Sequence, residues 1–103
     1  MAMKAFKDLT LTGDNRVRAT GPFVIEEGFE LKRLSFMLSQ QGVMAEGEGH
    51  LVDGGNWAGE TDGEDFKAGE WVYAVGVATL AHVDWPPAVQ NFTWCEQVEL
   101  TGP

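Results

Sequence analysis

Apolar and polar residues alternate over short stretches of this chain, and glycine, proline and asparagine punctuate them at intervals that suit strands joined by turns. Residues 4–12 read as a first strand, with Leu9 and Leu11 on one face and Asp8, Thr10 and Thr12 on the other, before the turn Gly13-Asp14-Asn15. A short second strand is predicted over residues 16–19, ending before a Gly21-Pro22 turn, and a Phe23-Val24-Ile25 run follows. Residues 29–40 fit two periods. Leu31, Leu34 and Leu38 have helical spacing, while Phe29 with Leu31, then Leu34, Phe36 and Leu38, alternate with one slip. We favour a strand, with a β-bulge at Lys32-Arg33 restoring the alternation.

The cleanest alternation runs from Val43 to Val52, with Val43, Ala45, Gly47, Gly49 and Leu51 on one side and Met44, Glu46, Glu48, His50 and Val52 on the other. Asp53-Gly54-Gly55-Asn56 then signals a turn, and Trp57 resumes an extended segment ending in the acidic loop Glu60-Thr61-Asp62-Gly63-Glu64-Asp65. Residues 70–84 are apolar on both faces, as in a central strand covered on both sides. Trp71 and Trp94 are expected in the core. Trp85-Pro86-Pro87 breaks the run, and a last strand from Val89 to Leu100 turns Phe92, Trp94, Val98 and Leu100 inward. About seven strands at this spacing predict an all-β fold, a single antiparallel β-sandwich, with a jelly roll as the alternative.

Composition agrees with this. In 103 residues, 13 glycines disfavour long helices, while four tryptophans and six phenylalanines supply a core for one domain over residues 1–103. The net charge of −9 is uneven: residues 1–34 carry +1 and the remainder −10, with Lys67 the lone cation after Arg33. Such a balance repels nucleic acid and anionic membranes. A single cysteine, Cys95, excludes an intramolecular disulfide and has no basic neighbour in sequence to make it a nucleophile. With no leader-like start and no stretch near the ~20 apolar residues of a membrane span, a cytoplasmic or virion-associated setting is expected.

The segment Phe66-Lys67-Ala68-Gly69-Glu70-Trp71-Val72-Tyr73-Ala74-Val75 resembles the turn and following strand of bacterial immunoglobulin-like domains, which implies an immunoglobulin-like sandwich. Glu46-Gly47-Glu48-Gly49-His50, followed by Phe66 to Gly76, is similar to the barrel strands of cupins. The cupin pattern of metal ligands is not reproduced, since no His-x-His occurs and Thr79 stands near the place of the last histidine.

Three groups of residues are candidates for chemistry or binding. Glu46, Glu48 and His50 share one strand face, and His82 could complete a metal site, although i and i+2 side chains are ~7 Å apart and a solvated polar face is the ordinary outcome. Glu60, Asp62, Glu64 and Asp65 could contact a basic partner or hold calcium. Trp57 and Trp85, both beside turns, could stack on a sugar or anchor a protein. No serine elbow, phosphate loop or paired-cysteine motif occurs. The sequence therefore points to a non-enzymatic binding or structural module without a cofactor, taking a protein or carbohydrate partner or another copy of itself through an edge strand. A small metal-dependent cupin-like enzyme and an acidic inhibitor of a nucleic-acid-binding protein are the alternatives.

Overall fold

The computed structural model describes residues 6–102 and is built of seven strands: β1 Asp8–Leu11, β2 Arg16–Pro22, β3 Phe29–Gln40, β4 Val43–Val52, β5 Asn56–Asp62, β6 Trp71–His82 and β7 Val89–Thr101. They form one closed barrel in the order β1-β2-β5-β4-β3-β6-β7. In place of the two separate antiparallel sheets predicted, the strands close on themselves at two seams. β4 pairs with β3 from Val43 to Glu48 and with β5 from Glu48 to Val52, so one strand serves both walls. At the other seam β1 pairs antiparallel with β2 and parallel with β7, through Leu9 opposite Leu100 and Thr10 opposite Thr101. The jelly-roll alternative calls for eight strands; seven are present among the described residues.

The two readings of residues 29–40 resolve as strand. β3 pairs with β6 from Phe29 to Ser39, and its register shifts between Leu31 and Arg33. Lys32 is the extra residue, which keeps Phe29 and Leu31 on the core side together with Leu34, Phe36 and Leu38. β4 has the predicted bounds. β1 is shorter than predicted, and residues 4 and 5 of that expectation lie outside the described residues. β2 is longer: Gly21 and Pro22 continue the ladder opposite Trp57 and Asn56, where β1 no longer flanks β2 and the missing proline N–H is tolerated. The Gly13-Asp14-Asn15 turn forms as expected, with Asn15 at a φ of 64° and its N–H donating to the Thr12 carbonyl at 3.1 Å.

One buried cluster draws on every strand but β4, whose partly buried Val43 and Ala45 pack against it. Its centre is aromatic. Trp57 lies edge-on to Phe6 at 5.2 Å and to Trp94 at 6.4 Å, and tilted against Phe36 at 5.6 Å. Glycines make room for these rings. Gly76 stands between Phe36 and Trp94 in adjacent strands, and a Cβ there would come within 2.2 Å of the Trp94 ring. Across β3, a Cβ at Gly47 would meet Phe36 at 2.6 Å. Polar side chains tie the ends of the core: buried Gln40 donates to the Lys67 carbonyl at 2.9 Å and accepts its N–H at 2.7 Å. Inward-turned Glu96 accepts the Phe6 N–H at 2.8 Å.

Candidate interaction surface

The outer wall of the barrel is built by the same alternation that builds the core. In β6 the even-numbered residues Val72, Ala74, Gly76, Ala78 and Leu80 are buried, and four of the five are small or medium because Phe36 and Trp94 need the space. The odd-numbered residues from Trp71 to Val77 therefore face out. Trp71 is 61 % exposed and Tyr73 57 %, and Val75 and Val77 continue the row. This corrects two expectations: Trp71 is not in the core, and β6, though central in the ladder between β3 and β7, is not covered on its outer side.

Cross-strand register widens the row into a patch. Met37 of β3 is opposite Val75, Ser39 opposite Tyr73, and exposed Met44 of β4 opposite Ser39. Beside it lies a groove of about 370 Å³ between Met37, Val75 and Val77 on one bank and Glu46 and Glu48 on the other, with Arg33 also lining it. On the β7 side the neighbours Thr93, Cys95 and Gln97 are uncharged, and the exposed acid Glu99 stands opposite Trp71. The result is an aromatic and aliphatic strip with Glu46 and Glu48 along the β4 border and Glu99 at the Trp71 end of the β7 border. A contiguous exposed apolar surface of this kind is uncommon on a protein that acts alone.

The acids continue around the barrel. Glu46, Glu48 and His50 share the outer face of β4, as the alternation required. Glu60 and Asp62 are not in a loop: β5 runs to Asp62, and its outer face sets Glu60 between Glu48 of β4 and Arg18 of β2, and Asp62 opposite Arg16. Arg18 Nη2 approaches Glu60 Oε1 at 3.7 Å, both groups exposed, a pairing worth at most about 1 kcal/mol. Only Glu64 and Asp65 belong to the turn after β5, where Asp62 Oδ1 accepts the Glu64 N–H at 3.1 Å. Where the β4–β5 ladder ends, the buried Thr61 hydroxyl donates to the Glu46 carbonyl at 2.7 Å.

The structure does not bring the four metal candidates together. Glu46, Glu48 and His50 face outward, whereas His82 has the inward phase of Ala78 and Leu80, packs edge-on against Phe29 at 5.2 Å, and accepts the Asp84 N–H on Nδ1 at 3.2 Å. Among the described residues no group of three or more His, Cys, Asp or Glu side chains is arranged to hold a metal ion. The two tryptophans separate as well. Trp57 is 0 % exposed, because β5 starts at Asn56 immediately after the turn and sets Trp57 in the ladder with its ring inward. It is a core residue and cannot stack on a partner. Trp85, in the β6–β7 connection, is 68 % exposed.

No protein-family model matches the sequence, and no curated protein matches it. Among solved structures, murine CRIg, an immunoglobulin-like domain, superposes over 100 % of this chain and 98 % of its own length with a TM-score of 0.56 at 7 % identity. The fold is immunoglobulin-like. In that fold strands A, B, E and D form one wall and C, F and G the other, which is the order β1-β2-β5-β4 followed by β3-β6-β7 here. In antibody domains a disulfide joins strands B and F across the core; in this immunoglobulin-like barrel the Trp57, Phe36 and Trp94 rings fill the centre, and Cys95 is exposed on β7. Among the described residues no helix is long and apolar enough to cross a membrane.

Proposed function

We propose that this chain is a non-enzymatic interaction module, a β-sandwich of the bacterial immunoglobulin-like kind pressed closed at its seams, that docks a protein partner on the outer face of β6. The observation that carries the reading is the exposed row Trp71, Tyr73, Val75 and Val77, continuous with Met37 and Met44. Aromatic residues and methionine are enriched where proteins meet, and charged residues are depleted from the centre of such contacts. The border of Glu46 and Glu48 favours a partner with basic groups beside its apolar contact. Affinity capture from the cell that makes the protein, run in parallel with a Trp71→Ala/Tyr73→Ala variant of unchanged melting temperature, is the test. A binder held by the wild type and lost by the variant supports the reading, and one held equally by both overturns it.

One observation favours a second reading, an acidic inhibitor of a nucleic-acid-binding protein. Glu48 and Glu60 stand directly opposite one another, a like-charge pairing that sheets disfavour, with Glu46 and Asp62 on the same outer surface. Under this reading, changing Glu46, Glu48, Glu60 and Asp62 to their amides abolishes salt-sensitive binding to a basic protein; unchanged affinity rejects it. A carbohydrate-binding form rests on Trp85 alone, and glycan retention unaffected by Trp85→Ala removes it.

A further inference from the structure

We infer that the groove beside the β6 row takes an arginine side chain of the docking partner, with its guanidinium between Glu46 and Glu48 and its aliphatic stem against Val75 and Val77. The inference rests on the β6 docking face proposed above and names what that partner carries. The groove, of about 370 Å³, is formed by β3, β4 and β6 alone. Two cross-strand rows build it: Val77, Ser35 and Glu48 in one, and Val75, Met37 and Glu46 in the next. Each row runs from an aliphatic side chain to a carboxylate. Between the rows lie Phe36 and Gly47, a facing pair that leaves only backbone on the outer side, because the Phe36 ring is buried and a Cβ at Gly47 would point into it.

Elsewhere on the barrel the same arrangement of acids is already answered by arginines. Glu60 and Asp62, two residues apart on β5, stand opposite Arg18 and Arg16, two residues apart on β2, and Arg18 Nη2 lies 3.7 Å from Glu60 Oε1. Glu46 and Glu48 have the same spacing on β4, but β3 sets Met37 and Ser35 opposite them. Among the described residues the ion pairs within 4.0 Å are Arg18 with Glu60 and Lys32 with Glu30, so neither Glu46 nor Glu48 has one. Arg33, opposite Thr79 and beyond the Val77 row, does not reach them. On its far side Glu48 faces Glu60, which deepens the negative potential at the groove. An arginine answers both banks at once. Its stem covers apolar surface while its head keeps to the charged side. Residues two apart on a strand are about 7 Å apart, a separation that a planar guanidinium with donors on two edges can bridge, whereas an ammonium acts as a point charge. Arginine is also enriched, and lysine depleted, where proteins meet.

The test is a proton–nitrogen NMR titration of the full chain at low salt with N-acetyl-arginine amide, and with its lysine and citrulline counterparts as controls. The arginine amide is expected to give saturable shifts centred on the backbone amides of the two rows, with a dissociation constant on the order of 1 mM. The lysine amide is expected to bind at least about threefold more weakly, and uncharged citrulline amide not measurably. Glu46→Gln/Glu48→Gln, at two exposed positions, is expected to keep the melting temperature and weaken the arginine amide about tenfold. No saturable shift with the arginine amide, equal binding of either control, shifts centred outside the groove, or binding undiminished in the variant overturns the inference. The docking face has its own readout, since Trp71→Ala/Tyr73→Ala leaves both glutamates in place. A captured partner lost by that variant but held fully by Glu46→Gln/Glu48→Gln retires the arginine and leaves the docking face standing.

Discussion

Trp57 and Trp71 differ in which face of their strand they occupy, and their stabilities on truncation should differ accordingly. Trp57→Ala removes a fully buried ring that touches Phe6, Phe36 and Trp94 and is expected to cost about 3–5 kcal/mol, a large share of the stability of a domain this size. Trp71→Ala should stay within about 0.5 kcal/mol of wild type in the same urea titration. Gly76→Ala, a change of one methyl group, is expected to destabilise by about 1–3 kcal/mol, because its Cβ would enter the Trp94 ring and the neighbouring backbone fixes both strands. At the surface, the Thr12 hydroxyl donates to Asp14 and holds its carboxyl below the ordinary value of 3.8, aided by the turn backbone and by Arg16 and Arg18. A lowered folded value means the bond is present above 3.8 and is lost as pH falls through the folded value. Carbon-detected NMR titration should find Asp14 below 3.8 in the wild type and moved back toward it in Thr12→Ala.

At the level of elements, much of the fold was legible because a period of two leaves little freedom in phase. β4 could be read to the residue, since Val43, Ala45, Gly47 and Gly49 must share a side. The slip in β3 was legible for the same reason: one extra residue at Lys32 reconciles Phe29 and Leu31 with Leu34 and Phe36. Deleting Lys32 should then leave a regular ladder with Leu31 and Arg33 still on their proper faces, and a folded protein with a modestly lower melting temperature. Deleting Ser35 breaks the phase and should prevent folding. β6 was harder, because both of its faces are apolar and hydrophobicity alone does not say which is covered. The signal was side-chain volume. Ala74, Gly76 and Ala78 are small on one face because large rings from β3 and β7 need room, which leaves Trp71 and Tyr73 to solvent.

Across the whole molecule, closure was not legible, since it depends on β4 changing partner at Glu48 and on a two-residue parallel contact between β1 and β7. Neither leaves a periodic trace. The same topology decided the candidate sites. It put His82 on the opposite face from His50, drew Trp57 into the core, and moved Glu60 and Asp62 from a supposed loop onto a strand wall beside Arg16 and Arg18. It also widened the exposed row of β6, Trp71 to Val77, into a patch by setting Met37 of β3 and Met44 of β4 beside it. That patch is the central claim, and position-specific photo-crosslinking in the cell that makes the protein tests it most directly. A benzophenone side chain placed at Trp71 or Tyr73 should give one discrete protein adduct, while the same probe at Arg18, exposed on the opposite wall, should give none. Absence of an adduct from the β6 positions, or equal adducts from Tyr73 and Arg18, would contradict the account.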